Sequence, residues 1–267
     1  MKATVQIEIG SMANRSVVEK LFAQTPFKVL DITEDKRNNP LHLMLMSSSP
    51  GIMDGDVYDL NIKLSKGASL QLFTQAYQRI FQMKSTAAQS LEVRLEEGAS
   101  FCFLPHPTVP HHLSSFTNRN NFYLGNNCRF VYGEILTCGR KLNGEAFRFT
   151  KYHSITNIFL GDKLLVKENL LLMPQEIDVN AMGQLEGFTH QASFIFLQSE
   201  IKTSVLREAI AGMLALEQNI EFGISTLPIN GLIIRMLAQG AEQLFDCMQR
   251  ITNILPAHII KPAAYAP

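Results

Sequence analysis

The chain has 267 residues, 46% hydrophobic and 18% charged, and its 24 basic and 24 acidic side chains give zero formal net charge. Nucleic-acid-binding domains normally carry a basic excess, so this balance argues against a nucleic-acid partner. The apolar content excludes a disordered, highly charged chain. Zero net charge with few charged residues predicts poor solubility of the isolated chain and favours a protein that works in a complex.

The first residues alternate polar and apolar side chains, which predicts a strand and argues against a signal peptide. No apolar run approaches the ~18–20 residues that span a bilayer, so no membrane partner is expected. The cysteines form no C-x-x-C pair, which predicts reduced thiols and a cytoplasmic protein. They are Cys102, Cys128, Cys138 and Cys247.

Most of the first 200 residues alternate with period two, which is typical of half-buried strands. A unit also recurs, in segments 59–73, 90–104, 122–132 and 158–166. Each copy has a turn glycine, which tolerates positive φ: Gly67, Gly98, Gly125 and Gly161. The third copy is interpreted as having one turn residue fewer than the first two. Repeats of about 30 residues predict stacked β layers resembling a β-solenoid; an ordinary meander with coincidental turns is the alternative.

After residue 200 the apolar spacing becomes helical. The segment 205–214 is predicted to form one helix, with Ser204 as its N-cap. The segment 241–255 is predicted to form a second, amphipathic helix, on which Asp246 and Arg250 can pair at i, i+4.

The predicted fold is therefore mainly β, with stacked or helical strand layers and two α-helices near the C-terminus. A strand at 232–237 separates the helices. Residues 1–257 are predicted to form a single domain, and 258–267, rich in Pro and Ala, a short mobile tail.

Several motifs of common enzymes are missing from the sequence. There is no G-x-x-x-x-G-K-[ST], G-x-G-x-x-G, H-E-x-x-H or G-x-S-x-G segment. These absences lower the expectation of an enzyme, although many active sites have no short motif.

The loop at 47–56 brings two aspartates together. Pro50-Gly51 fits a type II turn and Gly55 a second tight turn, so that Asp54 and Asp56 are brought into one loop. One interpretation is a solvated turn; the other is a carboxylate cluster for a hard or borderline cation.

The proline-rich loop at 104–112 carries His106, His111 and His112. If these imidazoles converge, they suit Ni²⁺, Cu²⁺ or Zn²⁺. The alternative is that they are ordinary loop residues.

Two glutamates, Glu134 and Glu145, flank a Gly-Arg turn and are predicted to face each other across a hairpin. Arg140 lies between them as the expected structural partner. A salt-bridged hairpin and a functional acid pair both fit, and both require partners for buried carboxylates.

These segments, in this order and near this spacing, resemble the urease accessory protein UreD family, called UreH in some bacteria. The C-terminal strand and helix are also similar. The matching segments are Ser-Pro-Gly-x-x-x-Gly-Asp at 49–56, Thr-Gln-Ala at 74–76, Leu-Pro-x-Pro-Thr at 104–108, Glu-Ile-Leu-x-x-Gly-Arg at 134–140 and Gly-Glu-x-Phe at 144–147.

The resemblance implies a non-enzymatic chaperone that incorporates nickel into apo-urease, with no catalytic residue and no tightly bound cofactor. Members of the family bind UreF, which recruits the GTPase UreG, and nickel(II) passes transiently to urease on GTP hydrolysis. The implied fold is a mainly β, helical stack of strands with two helices.

The resemblance also implies that internal acids line a water-filled passage for nickel, matching Asp56, Glu134 and Glu145 here. Family members often have an acid where this chain has Lys167. Glu168 is adjacent, but neighbouring strand residues face opposite sides, so it replaces that acid only across a bulge. The weaker metal candidates are Asp54, Glu168, His106, His111 and His112.

Two other functions stay open. The chain is a binding-only scaffold if the metal travels elsewhere. Alternatively, it is an all-β hydrolase or carbohydrate-binding protein that uses Asp56 and Glu134 as a carboxylate pair. The lack of Trp and the presence of only six Tyr residues argue against a glycan site.

Overall fold

A computed structural model describes residues 1–13, 15–35, 40–198 and 203–255. The tail predicted at 258–267 lies outside these residues, and the single domain over 1–257 stays a prediction. The described residues form a short 3-10 turn (Lys141–Asn143), two helices, α1 (Thr203–Leu214) and α2 (Ala241–Ile254), and the following strands. They are β1 (Lys2–Met12), β2 (Arg15–Ala23), β3 (Phe27–Asp31), β4 (Leu41–Ser47), β5 (Val57–Leu64), β6 (Ser69–Gln75), β7 (Gln78–Ile80), β8 (Ala87–Leu95), β9 (Ser100–Phe103), β10 (Thr108–Pro110), β11 (Ser115–Leu124), β12 (Arg129–Thr137), β13 (Lys151–Leu160), β14 (Lys163–Leu172), β15 (His190–Gln198), β16 (Glu221–Leu227) and β17 (Gly231–Ala238).

The strands form two sheets that share one apolar core. Sheet A has the order β14-β13-β11-β8-β5-β1-β2, and sheet B the order β16-β17-β15-β12-β9-β6-β4-β3. From β5 to β13 the chain alternates between the sheets, and the short strands β7 and β10 pair with each other and, through β10, with β12 of sheet B. Neighbouring strands of this stretch therefore run parallel. Each pass adds one strand to each sheet, which is the coil of a solenoid, and the predicted mainly β, layered fold is confirmed.

The repeated turns stack on one another along the coil. The N–H groups of Gly67 and Gly98 each donate to a carbonyl of the next turn, at 3.0 and 2.9 Å, and both glycines have φ near +70°. In the third copy Asn127, with φ +56°, takes this place, so that turn has the full length and its predicted shortening was wrong. Gly125 instead allows close approach, because a Cβ there would lie 3.0 Å from the backbone of the preceding turn. Gly161 forms the β13–β14 hairpin, which keeps the chain in sheet A and ends the coil.

Sheet B is the middle layer of three. Along β12, Phe130, Tyr132 and Leu136 belong to the core shared with sheet A, whereas Val131 and Ile135 belong to a second cluster with the helices. This follows from the alternation of side chains along a strand. A side chain at an even position of β12 therefore points between the two sheets, and this places Glu134 there.

Both helices cover the outer face of sheet B. The second helix and the strand at 232–237 are confirmed, but Ser204 lies inside α1, so the predicted N-cap was wrong. The Arg250 guanidinium contacts the Glu217 carboxylate after α1 instead of Asp246, so this pair links two elements. Within the described residues neither helix, at 12 and 14 residues, has the length and apolar character needed to cross a bilayer.

Candidate functional site

A cavity of about 530 Å³ lies between the sheets. It extends across the coil from β4 to β12 in sheet B and from β5 to β11 in sheet A, since its lining includes Leu45, Tyr58, Asn120 and Glu134. Three of the segments singled out in the sequence also contribute to its wall. Their lining residues are Ser49, Pro50, Gly51 and Ile52; Thr74, Gln75 and Ala76; and Pro105, His106 and Thr108.

Hydrogen bonds between these segments shape the cavity wall. The His106 N–H donates to Thr74 Oγ1 at 2.9 Å, which ties the loop at 104–108 to the end of β6. Gln78 Nε2 donates to Gln89 Oε1 at 3.0 Å, and Thr108 Oγ1 donates to Gln78 Oε1 at 3.3 Å. The segments are therefore close in space because successive coils stack, although they are about 30 residues apart in sequence.

Glu134 is the carboxylate of this cavity. Its Oε1 accepts hydrogen bonds from Ser154 Oγ at 2.8 Å, Asn118 Nδ2 at 3.2 Å and Asn120 Nδ2 at 3.3 Å. Its Oε2 lies 3.5 Å from Thr156 Oγ1. Every partner named here is neutral, so the carboxylate is hydrogen-bonded but has no compensating positive charge among them.

Burial raises the pKa of Glu134 above its usual value, while hydrogen bonds from Ser154 and Tyr132 oppose the rise. Desolvation disfavours the charged form of a carboxyl, so this pKa direction is the expected one for an acid between two sheets. A cation in the cavity would reverse the balance, because it favours the ionised carboxylate. The Glu134 carboxylate can therefore interact favourably with a cation in the cavity.

The predicted pairing of Glu134 with Glu145 across a hairpin was wrong. β12 pairs with β9 and β15, whereas Glu145 follows the 3-10 turn and lies outside the cavity lining. Its carboxylate accepts from Arg140 Nε at 2.9 Å and from the His112 N–H at 3.4 Å. Arg140 lowers the pKa of Glu145. Among the described residues, Arg140 thus pairs with Glu145 and not with Glu134.

Asp56 is a buried anchor of the loop before β5, only 3% exposed. It accepts hydrogen bonds from Tyr58 Oη at 2.6 Å, the Met53 N–H at 2.8 Å and the Met1 amine at 2.8 Å. Burial opposes ionisation, but these donors outweigh it and lower the pKa of Asp56. Asp56 does not line the cavity itself, but it fixes Tyr58, which does.

Asp54 lies in the same loop but turns to different partners. Its carboxylate accepts from Ser85 Oγ at 2.6 Å and from the N–H groups of Ser85 and Lys84 at 3.0 and 3.1 Å. The loop therefore matches the hydrogen-bonded turn, one of its two interpretations. In the described part of the chain, no three His, Cys, Asp or Glu residues are grouped so as to hold a metal ion.

Asp56→Asn is expected to destabilise the fold at neutral pH. Hydrogen bonds to a charged group contribute about 1.5–3 kcal/mol each, so we expect a loss of about 2 kcal/mol. Because the folded pKa is lowered, this stability is present above the unfolded pKa and is lost as the pH falls through the folded pKa. Urea unfolding at pH 7 and pH 3 checks both points. Asp54→Asn, at an exposed site, is the control with the smaller effect, and a pH-independent loss for Asp56→Asn contradicts the account.

The predicted convergence of the three histidines was wrong. His106 stacks on Phe245 of α2 with ring centroids 5.0 Å apart, whereas His111 packs against Phe81 at 4.8 Å, and His112 is exposed. Burial lowers the pKa values of His106 and His111. Of the three, only His106 borders the cavity.

The cysteines are all buried, and none forms a disulfide within the described ranges. Burial raises the pKa of each thiol. They are therefore protonated near neutral pH and are poor nickel ligands, since the thiolate is the ligand form.

Glu168 faces the interior of the protein. Family members often have an acid at the preceding position, where this chain has Lys167. β14 carries one extra residue, because Ile158 pairs with Val166 while Phe159 pairs with Leu164. Lys167 is exposed, and Glu168 reaches across to Arg235 of sheet B, with Nε to Oε2 at 3.2 Å and Nη2 to Oε1 at 2.5 Å. The strand has the bulge that substitution by Glu168 requires.

Sequence reasoning missed the polar residues that surround Glu134. They are Asn118 and Asn120 on β11 and Ser154 and Thr156 on β13. A signal was present in β11, because asparagines occupy two successive inward positions where the repeat calls for apolar side chains. Polar groups at core positions need partners, which indicates a functional or structural site.

Comparisons with known proteins identify the family to which this chain belongs. The family model described as "UreD urease accessory protein" matches residues 1–267. A urease accessory protein UreD from Flavobacterium johnsoniae is 43% identical over 253 residues, covering 94% of this chain and 91% of the relative. Proteins of the same name are 34% identical in Acetivibrio thermocellus, over 90% of this chain and 92% of the relative, and in Haemophilus influenzae, over 92% and 95%. The chain therefore belongs to the UreD urease accessory protein family.

Proposed function

We propose that this chain is a non-enzymatic accessory protein in urease maturation, needed for nickel incorporation into apo-urease. In this proposal it works in a cytoplasmic hetero-oligomer, holding UreF and, through UreF, the GTPase UreG against apo-urease. Nickel(II) is the cargo, and it crosses the chain through the space between the sheets.

One observation carries the passage part of the proposal. Four of the five segments shared with the family, all but 144–147, contribute to the wall of one cavity, and Glu134 is the carboxylate in its lining. The wall also contains Arg79 and apolar side chains, but the groups that contact Glu134 are amides and hydroxyls, and a carboxylate held by such neutral groups attracts a hydrated dication. Such oxygen ligands suit hard cations, whereas a histidine cage would hold nickel tightly. The site is thus suited to transfer rather than storage.

Asp56 and Glu145, the other two candidates for the nickel passage, both lie outside the cavity lining. Asp56 acts in this proposal by fixing Tyr58 in the wall. Glu145 already pairs with Arg140 outside the lining, so its place in the passage rests on the family resemblance alone. The alternative hydrolase would need Asp56 and Glu134 at one site, and Asp56 does not line the cavity that holds Glu134.

The proposal is tested by producing urease with its full accessory set, with and without this chain. We expect urease made without the chain to be folded and assembled but to lack nickel, as measured by elemental analysis per active site. Co-purification of the chain with UreF and UreG tests the complex in the same preparation. Unchanged nickel in the absence of the chain would contradict the proposed function.

A further inference from the structure

The polar lining around Glu134 continues toward the far edge of both sheets. In sheet B, Glu134 is in register with Ser193 of β15, and Ser193 with Arg235 of β17. In sheet A, Asn120 is in register with Thr156, and Thr156 with Glu168 of β14. Two rows of three residues thus cross the strands at the same level.

The two rows face each other across the space between the sheets. At the inner end, Asn120 and Thr156 of sheet A contact the Glu134 carboxylate of sheet B. At the outer end, Glu168 of sheet A holds the Arg235 guanidinium of sheet B through two hydrogen bonds. The rows therefore run from Glu134 to β14, the edge strand of sheet A, and to β17, which lies next to the edge strand β16 of sheet B.

Buried oxygens without partners lie along this route. Ser193 Oγ and Asn118 Oδ1 are buried and have no hydrogen-bond partner among the described residues. Asn118 as a whole is only 7% exposed. Buried polar atoms are normally satisfied by protein, water or an ion. A water molecule or an ion can therefore bind at Ser193, in the middle of the sheet B row, and at Asn118, beside Glu134.

We propose that Arg235 is a gate that closes the outer end of this route by its ion pair with Glu168. The inference rests on the proposed passage of nickel. A guanidinium is always charged, so it repels a dication that approaches Glu168. The Arg235 side chain is 55% exposed and Glu168 20% exposed, so Arg235 can swing into solvent and leave the carboxylate to the cation.

Arg235→Met tests the gate, with the initial rate of nickel incorporation into urease by the full accessory complex as the readout. An exposed ion pair contributes about 0.2–1 kcal/mol, which corresponds to a rise in rate of about 1.4- to fivefold. Arg250→Met is the matched control. Its ion pair with Glu217 has nearly the same exposure, 48% and 19%, but lies away from the route, so its rate should be unchanged.

Salt dependence separates a gate from a structural role. Raising the ionic strength screens the ion pair, so it should accelerate transfer by the wild type and by Arg250→Met but not by Arg235→Met. Arg235→Gln, which keeps a polar side chain, repeats the test if the methionine variant folds poorly.

The outcomes distinguish the gate from the passage on which it rests. An unchanged or lower rate for both Arg235 variants, with nickel loading still lost in Glu134→Gln, overturns the gate alone. Normal loading in Glu134→Gln overturns the gate and the passage together. A faster rate in Arg235→Met, with no change in Arg250→Met, supports the gate.

Discussion

Replacing Glu134 by glutamine is expected to lower the nickel content of urease about tenfold while the chain still folds and binds its partners. Loss even of a residue that only supports a metal ligand costs about 10- to 100-fold in metal affinity or activity. Glutamine fits the same space. Its oxygen can accept the bonds from Ser154, Asn118 and Asn120, and its amide can donate to Thr156. The variant therefore removes the charge and little else.

The folding stability of Glu134→Gln distinguishes a role of Glu134 in nickel loading from a role in stabilising the fold. Because burial raises the pKa of the carboxyl, its ionised form is disfavoured relative to that of a carboxyl in water. Folding stability from such a group is lost as the pH rises through the folded pKa. We therefore expect Glu134→Gln to be at least as stable as the wild type at pH 7, measured by urea unfolding.

Glu145→Gln is the comparison for nickel loading, because its carboxylate pairs with Arg140 outside the cavity. The family resemblance predicts a loss of loading for both variants, whereas the geometry predicts it for Glu134 alone. Normal loading by Glu134→Gln would contradict the passage between the sheets. Loss of partner binding in Glu134→Gln would show that the residue acts through the complex instead.

Phe122→Ala is expected to destabilise the protein by about 3–5 kcal/mol, the usual cost of truncating a buried phenylalanine. Phe122 is fully buried at the centre of the coil, with its ring centroid 4.7 Å from those of Phe130 and Tyr132 and 6.3 Å from that of Phe101. The alanine would leave a void between the sheets that these rings can fill only in part.

Urea unfolding measures this loss, and Phe22→Ala is the control. Phe22 lies on the edge strand β2 and is 46% exposed, so its truncation should change stability by less than about 0.5 kcal/mol. Similar losses for the two variants would mean that the coil is not the stabilising core.

The coil was predictable because the sequence repeats the same unit about every 30 residues. Each pass buries the same inward positions, so Leu60 and Leu91 are register partners, as are Ile62 and Val93. The end of the coil was not predictable in the same way. The copy at 158–166 looks like the others, but its two-residue turn at Gly161 makes a hairpin within sheet A.

The acidic residues of the candidate site were recognisable in the sequence, but their hydrogen-bond partners were not. Glu134 was recognisable as an internal acid, but its pairing with Glu145 failed because nearness in sequence does not decide which strands pair. The Arg140 guanidinium instead donates to the Glu145 carboxylate across a local turn. Asp56 was recognisable as an acid in a tight loop, while its role as the anchor of Tyr58 depends on contacts between segments.

The helices show the same division. The apolar face of α2 was predicted correctly, since Leu244, Met248 and Ile251 are all buried. The predicted partner of Arg250 was wrong, because Glu217 of a neighbouring segment competes with the i, i+4 position on the same helix. The free energies of alternative ion pairs on the surface differ little, so sequence spacing alone does not predict which pair forms.

The measurement that tests the passage most directly is the nickel content of a chain altered to trap the metal beside Glu134. Asn118 and Asn120 both donate to the Glu134 carboxylate, so Asn118→His with Asn120→His places two imidazoles there, and imidazole binds nickel well. Elemental analysis of the purified complex is expected to find about one nickel ion retained per altered chain, with urease correspondingly depleted. A folded variant that retains no nickel while urease loads fully would contradict the passage of nickel between the two sheets.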